Sequence, residues 1–383
     1  MTPGARGAAA IDILDDIRTG TPSEAALTRW ARGNRYAGSK DRAAVRDLVF
    51  DVVRHWRSDA VRGGGESGRQ RLIGRLRGRG QDVDAIFSGE GYAPSVLTDD
   101  ERTAGRQPVH RADQWDLPEW LLPEFERSLG NTAAETAHEL TQRAPVTLRV
   151  NETRATKEQV QDVLRSEGIE TAPNPVCDTA LTVTENARRL RNSRPFSDGW
   201  FEFQDAASQA VVAGIPMAAT ALDYCAGGGG KALALAARGF AVTAHDANLA
   251  RMTDIPTRAA RLGLSVDVSA PGKVHGVFDR VLVDVPCSGS GSWRRAPDGK
   301  WRLTAERLEE IRQKQVNIAL QASDFVSKNG ILVYATCSIF EIENQSQVSA
   351  VIAQLPGWAC VFEQQWRVTQ GCDGFYVAHL KRV

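Results

Sequence analysis

Ala221-Leu222-Asp223-Tyr224-Cys225-Ala226-Gly227-Gly228-Gly229-Gly230-Lys231 is the stretch on which the fold turns. A strand candidate, Ala221–Tyr224, runs through four glycines into a helix candidate, Lys231–Ala237. Glycines at such a junction let the backbone approach a ligand closely. Fifteen residues beyond Lys231, Asp246 follows a second strand, Phe240–Ala244. An acid there can hold both ribose hydroxyls of a nucleoside cofactor. The pattern Gly227-x-Gly229-x-x-Ala232 suits a nicotinamide enzyme nearly as well. It is not a Walker loop, because Cys225 stands at the first glycine position and Ala232 replaces the magnesium-binding Ser or Thr.

Towards the C-terminus the alternation continues. Arg280–Val285 and Gly330–Ala335 are continuous apolar runs, and 304–328 between them reads as a long helix. Strands apolar on both faces, alternating with helices, predict a doubly wound parallel α/β sheet from residue 206 onward. Ligands of such sheets bind beyond the carboxyl ends of the strands. Two sequences stand at those ends: Asp284-Val285-Pro286-Cys287-Ser288-Gly289-Ser290-Gly291 and Ala335-Thr336-Cys337-Ser338. Either cysteine alone reads as a small buried apolar residue. Two of them beside an acid and a glycine loop, on neighbouring strands, read as a reactive pair.

Towards the N-terminus the pattern becomes helical. Ala8, Ile11, Leu14 and Ile17 form one apolar stripe, which Gly20-Thr21-Pro22-Ser23 breaks, with Ser23 as candidate cap of the next helix. Val45, Leu48, Val49, Val52, Val53 and Trp56 carry a further stripe, and periodicity fades between 81 and 125. From 141 to 205, extended runs at 145–150, 181–184 and 200–203 accompany a helix at 157–165, which makes a small α+β unit. Formal net charge is zero, yet residues 1–80 hold 16 Lys/Arg against nine Asp/Glu. Arg69, Arg71, Arg75, Arg77 and Arg79 crowd one stretch, a density that suits phosphate contacts as well as it suits a solvated helix face.

Hydrophobic residues make up 42% and charged residues 25% of the 383, an ordinary globular composition. No run approaches the roughly 20 apolar residues of a membrane span, and the first residues lack a secretory apolar core; a cytoplasmic protein is expected. The six cysteines form no C-x-x-C pair and no His stands at zinc spacing, so no metal is expected.

Pro286-Cys287 and Thr336-Cys337-Ser338 resemble the paired cysteine motifs of the RsmB/Sun family, bacterial ribosomal-RNA cytosine-C5 methyltransferases. Tyr36–Arg42 is similar to part of that family's NusB-like domain, and Leu148–Asn151 and Phe203–Ser208 to its linking motifs. Arg294–Trp301 and Asp373–Tyr376 also fit. The family's cofactor loop usually carries a proline where this chain has Gly228, and the acid often placed near the adenine has only Asp267 as its nearest candidate.

The resemblance implies an all-α NusB-like RNA-binding domain over 1–140, a small α+β linking subdomain over 141–205 and a Rossmann-like catalytic domain over 206–383. It implies an S-adenosylmethionine-dependent enzyme that methylates C5 of a cytosine in RNA. Small-subunit (16S) ribosomal RNA or an assembling subunit would be the partner, and the enzyme would act as a monomer without membrane or metal. Transfer RNA as substrate, or a non-catalytic RNA-binding assembly factor, are the alternatives. In this reading Cys337 is the nucleophile, Cys287 serves product release and Asp284 hydrogen-bonds N3. Cofactor contacts are expected from Cys225, Ala226, Gly227, Gly228, Gly229, Gly230, Lys231, Asp246, Arg251 and Asp284. Arg294, Arg295, Arg69, Arg71 and Arg75 are the expected RNA contacts.

Overall fold

A computed structural model describes residues 1–383, which divide into two compact units. One comprises Met1–Arg127, Asn131–Gln142 and Trp293–Arg302, and the other Ser128–Gly130, Arg143–Ser292 and Leu303–Val383.

The first unit is helical: α1 (Pro3–Arg18), α2 (Ser23–Gly33), α3 (Ser39–Arg54), α4 (Trp56–Gly63), α5 (Gly68–Gly78) and, later, α6 (Ala133–Thr141). The Thr2 hydroxyl caps α1 by accepting from the Ala5 amide. The core-facing side of α1 is rotated from the expected stripe, because Ala10, Ile13 and Leu14 are the fully buried residues while Ala8, Ile11 and Ile17 lie at its margin. Ser23 is not a cap. It is the buried first residue of α2, and its amide donates to the Asp298 carboxylate (3.3 Å) from the far segment of the same unit. Ser67 and Gln70 form a reciprocal capping box at the start of α5. Val45, Val49, Val52 and Val53 of α3 pack with Leu72 and Ile73 of α5 in one core. Between 79 and 121 only short helical turns form, and an eight-residue helix, Leu122–Leu129, follows.

The second unit holds two sheets. The smaller has the order β2-β3-β1-β4, built from β1 (Val146–Val150), β2 (Thr171–Pro173), β3 (Ala180–Val183) and β4 (Phe201–Phe203), all antiparallel. Helix α7 (Lys157–Ser166), with a Thr156–Gln159 capping box, buries Val160 and Leu164 in the same core as Leu148, Leu181 and Phe201. Helix α8 (Ala206–Ala213) follows, capped by Asp205.

The larger sheet has the order β10-β11-β9-β8-β5-β6-β7. Its strands are β5 (Thr220–Asp223), β6 (Ala241–His245), β7 (Asp267–Ser269), β8 (Phe278–Asp284), β9 (Val326–Thr336), β10 (Trp358–Trp366) and β11 (Phe375–Arg382). The helices are α9 (Gly230–Ala237), α10 (Ile255–Leu262), α11 (Ala305–Ser323) and α12 (Gln345–Gln354). The run from β9 to β7 is parallel, as expected for a doubly wound fold, but β11 and β10 join it antiparallel at the β9 side. Helix α11 ends at Ser323, five residues short of the expected 328, because β9 already begins at Val326. From β5 the chain winds outward through β6 and β7, then returns to the other side with β8 and β9. That reversal opens a crevice at the carboxyl ends of β5 and β8, where open α/β sheets bind ligands.

Candidate active site

The glycine loop leaves β5 and enters α9. The Gly229 amide donates to the Ala226 carbonyl (2.8 Å), closing a tight turn. Gly227 has φ +51° and a Cβ there would lie 2.8 Å from the Arg251 guanidinium; Gly229 has φ +83° and a Cβ would strike Ile255 at 2.6 Å. Both positions require glycine. Gly228 does not, since a Cβ would meet only the Arg258 guanidinium, at 3.5 Å, and its φ is not left-handed. The turn is held without a proline: Arg258 donates to the Gly228 carbonyl and pairs with Glu202.

Asp246, immediately after β6, is buried. Its Oδ2 accepts from the Gly227 amide (2.9 Å) and from Arg251 (3.0 Å), and its Oδ1 from the Asn248 amide (2.9 Å). The acid therefore fixes the loop and still borders the cavity above it. That cavity, of about 450 Å³, is lined by Asp223, Cys225–Gly228, Gly230, Lys231, Asp246, Arg251, Asp284, Cys287 and Cys337, among others. It falls within the range typical of small-ligand sites. Asp267 lies in β7, exposed.

Strands β8 and β9 are parallel neighbours, with Asp284 in register with Ala335, so both cysteine loops leave the sheet side by side. The Cys287 and Cys337 sulfurs stand 3.3 Å apart. The contact with Cys337, and then burial, push the Cys287 thiol well above its ordinary range. Lys231 donates to Asp284 Oδ2 (2.7 Å) from the first turn of α9. Burial alone would depress the lysine, but the adjacent Asp284 carboxylate outweighs it and the ammonium is held. Asp284 remains 31% exposed towards the cavity, whereas Lys231 is buried. Burial also drives the Cys225 thiol upward.

Two participants, Asp223 and Glu343, are not evident from the sequence, and a third, Lys231, takes a different role from the expected one. Asp223, at the end of β5, is fully buried and neither of its oxygens makes a well-formed hydrogen bond. Burial, then the Asp284 charge, raises its pKa to about 7. An acid interrupting the apolar run Ala221-Leu222 is its available signal. Lys231 is expected at the cofactor, but its ammonium is spent on Asp284. Glu343, buried behind the two cysteine loops, has no signal beyond its place six residues after Cys337.

The expected RNA-contacting arginines fare differently. Arg71 and Arg75 are only 4% and 6% exposed, which withdraws them as phosphate contacts. Arg71 lies over the Trp56 ring (3.9 Å) and donates to the Trp56 carbonyl, while Arg75 faces Asp51 (3.5 Å) and Asp59 (3.7 Å). Arg69 pairs with Glu101 (2.6 Å) and donates to the Ser95 and Val96 carbonyls. Arg294 is 3% exposed and likewise withdrawn; its carbonyl accepts from Arg54 within the helical unit. Arg295 alone of the five is exposed.

Comparison with known proteins gives this geometry its context. Residues 216–381 match the family model for the 16S rRNA methyltransferase RsmB/F, and 117–188 match the ferredoxin-like domain of RsmF/B-like methyltransferases. The ribosomal RNA small subunit methyltransferase B of Vibrio cholerae is 30% identical over 334 residues, covering 82% of this chain and 75% of that protein. A probable methyltransferase of the same name from Bacillus subtilis is 29% identical over 308 residues, 72% of this chain and 68% of the other. Among solved structures, PH0851 superposes with a TM-score of 0.78 at 20% identity over 100% of this chain and 99% of its own, a likeness of fold. A methyltransferase homologue from Pyrococcus horikoshii gives 0.61 at 19% identity over 71% of this chain and 97% of its own.

The cofactor is S-adenosylmethionine, and the residues present fit it. The loop comes close to the cavity at Gly227 and Gly228, Asp246 borders it, and the unpartnered Asp223 carboxyl suits a ligand ammonium. No helix is long and apolar enough to cross a membrane. With a relative matched at this identity and coverage, and the family's own model matched across the sheet that carries both thiols, the chain belongs to the RsmB/F family of 16S rRNA methyltransferases.

Proposed function

We propose that this protein methylates C5 of a cytosine in small-subunit (16S) ribosomal RNA through a covalent adduct between Cys337 and C6 of the base. The observation that carries the reading is the pair of thiols 3.3 Å apart beside the Lys231–Asp284 ion pair, at the mouth of one cavity.

C5 of cytosine is a poor nucleophile. Addition of the Cys337 thiolate to C6 breaks the C5–C6 double bond and leaves an enamine whose electron density lies at C5. N3 takes a proton as electron density shifts towards it; Asp284 relays that proton, and Lys231 holds the Asp284 carboxyl in place. S-adenosylmethionine, when bound, supplies an electrophilic methyl group. Once C5 carries the methyl group, a base takes the C5 proton, the freed electron pair re-forms the C5–C6 double bond, and the C6–S bond breaks with Cys337 leaving as thiolate. Cys287, in contact with Cys337, assists that departure.

The base must be unstacked or single-stranded for C6 to reach sulfur. Residues 1–140 act in this reading as a NusB-like RNA-binding domain, 141–205 as a linking subdomain and 206–383 as the catalytic domain. Arg295 is the surviving arginine contact.

The test is transfer of a labelled methyl group from S-adenosylmethionine to unmodified small-subunit RNA, with the product nucleoside identified by mass spectrometry. 5-Methylcytidine is the expected product. Absence of label together with absence of cofactor binding would favour the assembly-factor alternative; label in transfer RNA alone would move the substrate.

A further inference from the structure

Glu343 is fully buried, yet its carboxylate is satisfied on all sides. Oε1 accepts from the Ser288 amide (2.7 Å) and from Gln315 Nε2 (3.1 Å); Oε2 accepts from the hydroxyls of Ser288 and Ser338. Ser288 directly follows Cys287 and Ser338 directly follows Cys337. One anion therefore grips the residue after each thiol. Its surroundings are fixed in turn: Tyr334 donates to the Glu343 carbonyl (2.7 Å), Gln315 also donates to the Pro286 carbonyl (3.0 Å), and neighbouring Asn344 donates to the Ser338 carbonyl (3.0 Å).

A buried carboxylate is a poor device for stability, since well-packed apolar groups commonly do as well or better. It is a good device for geometry. A carboxylate is acceptor-only, with about four lone-pair positions for the four donors found here. It forces both serine hydroxyls to act as donors towards it, leaving their lone pairs for the Ser290 amide (3.2 Å) on one loop and the Phe340 amide (3.1 Å) on the other. A glutamine cannot reproduce this, because its nitrogen would confront two hydroxyl protons in place of Oε2.

We propose that Glu343 is a positioning residue, clamping the Cys287 and Cys337 loops so that the two sulfurs keep their contact and approach to the base. The inference rests on the covalent reading above. Displacement of a reacting group by about 1 Å can cost on the order of 10²-fold in rate, and that is the loss expected here.

The experiment compares wild type, Glu343→Gln, Ser338→Ala and the double variant in 5-methylcytidine formation, adduct formation with 5-fluorocytosine RNA, cofactor binding and thermal midpoint. Glu343→Gln should lower kcat and the adduct rate together by on the order of 10²-fold, while KM for cofactor and RNA stay within about twofold. Ser338→Ala should lose less, and the double variant should be no slower than Glu343→Gln, because both act on one network. Glu343→Gln with kcat within about threefold of wild type overturns the clamp, and so does a loss that follows the thermal midpoint and is regained on cooling. If Glu343→Gln does not fold, unchanged kcat in both Ser288→Ala and Ser338→Ala overturns it instead. A wild type that yields no 5-methylcytidine refutes the reaction itself, whereas an active wild type with an undiminished Glu343→Gln refutes only the clamp.

Discussion

The crevice at the ends of β5, β8 and β9 and the arginine-bearing helix α5 both bury ionised groups, and they do so to different ends. In α5 and its surroundings the guanidiniums are consumed by backbone and by acids of their own unit: Arg77 donates to the carbonyls of Arg62, Glu101 and Ala104, Arg71 to that of Trp56, and Arg75 faces Asp51 and Asp59. Arg77 ties the poorly periodic segment after residue 94 to the helices, and Arg71 and Arg75 are buried against α3 and α4. Both networks leave buried polar atoms without a hydrogen bond, on Arg75 and Asp59 in the first and on Asp223 in the second, but in the crevice those atoms border a cavity. Asp223 lacks a well-formed partner and Asp284 keeps a third of its side chain open to the cavity. Charge density along a sequence thus does not tell which way the charges face, whereas the end of a parallel strand does. An unsatisfied group closed in by its own fold reads as scaffold, and one that borders a cavity reads as a place kept for a ligand.

Four substitutions put that contrast at risk. Cys337→Ala should abolish methyl transfer, by on the order of 10⁴-fold or more, while calorimetry shows cofactor binding intact; retained activity would remove the crevice from the chemistry. Arg75→Ala should destabilise the protein by about 3 kcal/mol in denaturant unfolding, because it strands buried acids. The salt dependence of RNA binding should be unchanged in that variant, since a buried arginine releases no phosphate counterions; a shallower salt slope would return α5 to the RNA surface.

Asp223 offers a pH test. Its folded pKa of about 7 lies above the ordinary 3.8, so between these values the folded chain holds a proton that the unfolded chain has lost. Stability must therefore fall as pH rises through that window. Asp223→Asn in the cofactor-free protein should be more stable than wild type at pH 8, by a margin on the order of a few kcal/mol that vanishes near pH 4, and should bind cofactor more weakly. Equal stability at both pH values would mean that the carboxyl is solvated. The smallest effect belongs to Gly228→Ala. The turn leaves room for a Cβ and its φ is not left-handed, so the change should raise stability by about 0.4–1 kcal/mol in denaturant unfolding.

The legibility of the sequence follows the same division. The strands β5, β6, β8 and β9 announce themselves as apolar runs, and the motifs at their ends inherit a known place in an open sheet. Both thiols, Asp284 and Asp246 are found in this way, and the register of β8 with β9 brings the thiols together. Strand β10 is not legible, because an edge strand exposed from Cys360 to Gln365 has no buried face to impose a pattern. The overshoot of α11 to residue 328 has a similar cause. Ser327, Lys328 and Asn329 begin β9 beyond the core, where their composition carries no period. The arginines mislead because a buried cation and a surface cation have the same letter, and only the partners decide between them. Glu343 is invisible because its four donors come from three separate parts of the chain.

The helical unit is completed by Trp293–Arg302, whose Lys300 donates to the Arg54 carbonyl (3.2 Å) and whose Trp301 indole donates to that of Val53 (2.8 Å). During synthesis the first helices therefore emerge from the ribosome with an open seam. The piece that closes it lies 160 residues beyond Gln142, which at about 5–20 residues per second means a wait of roughly 8–32 s. The first unit to be made is thus among the last to be finished, and a pause or a truncation anywhere before Arg302 leaves the carbonyls of Val53 and Arg54 without their partners.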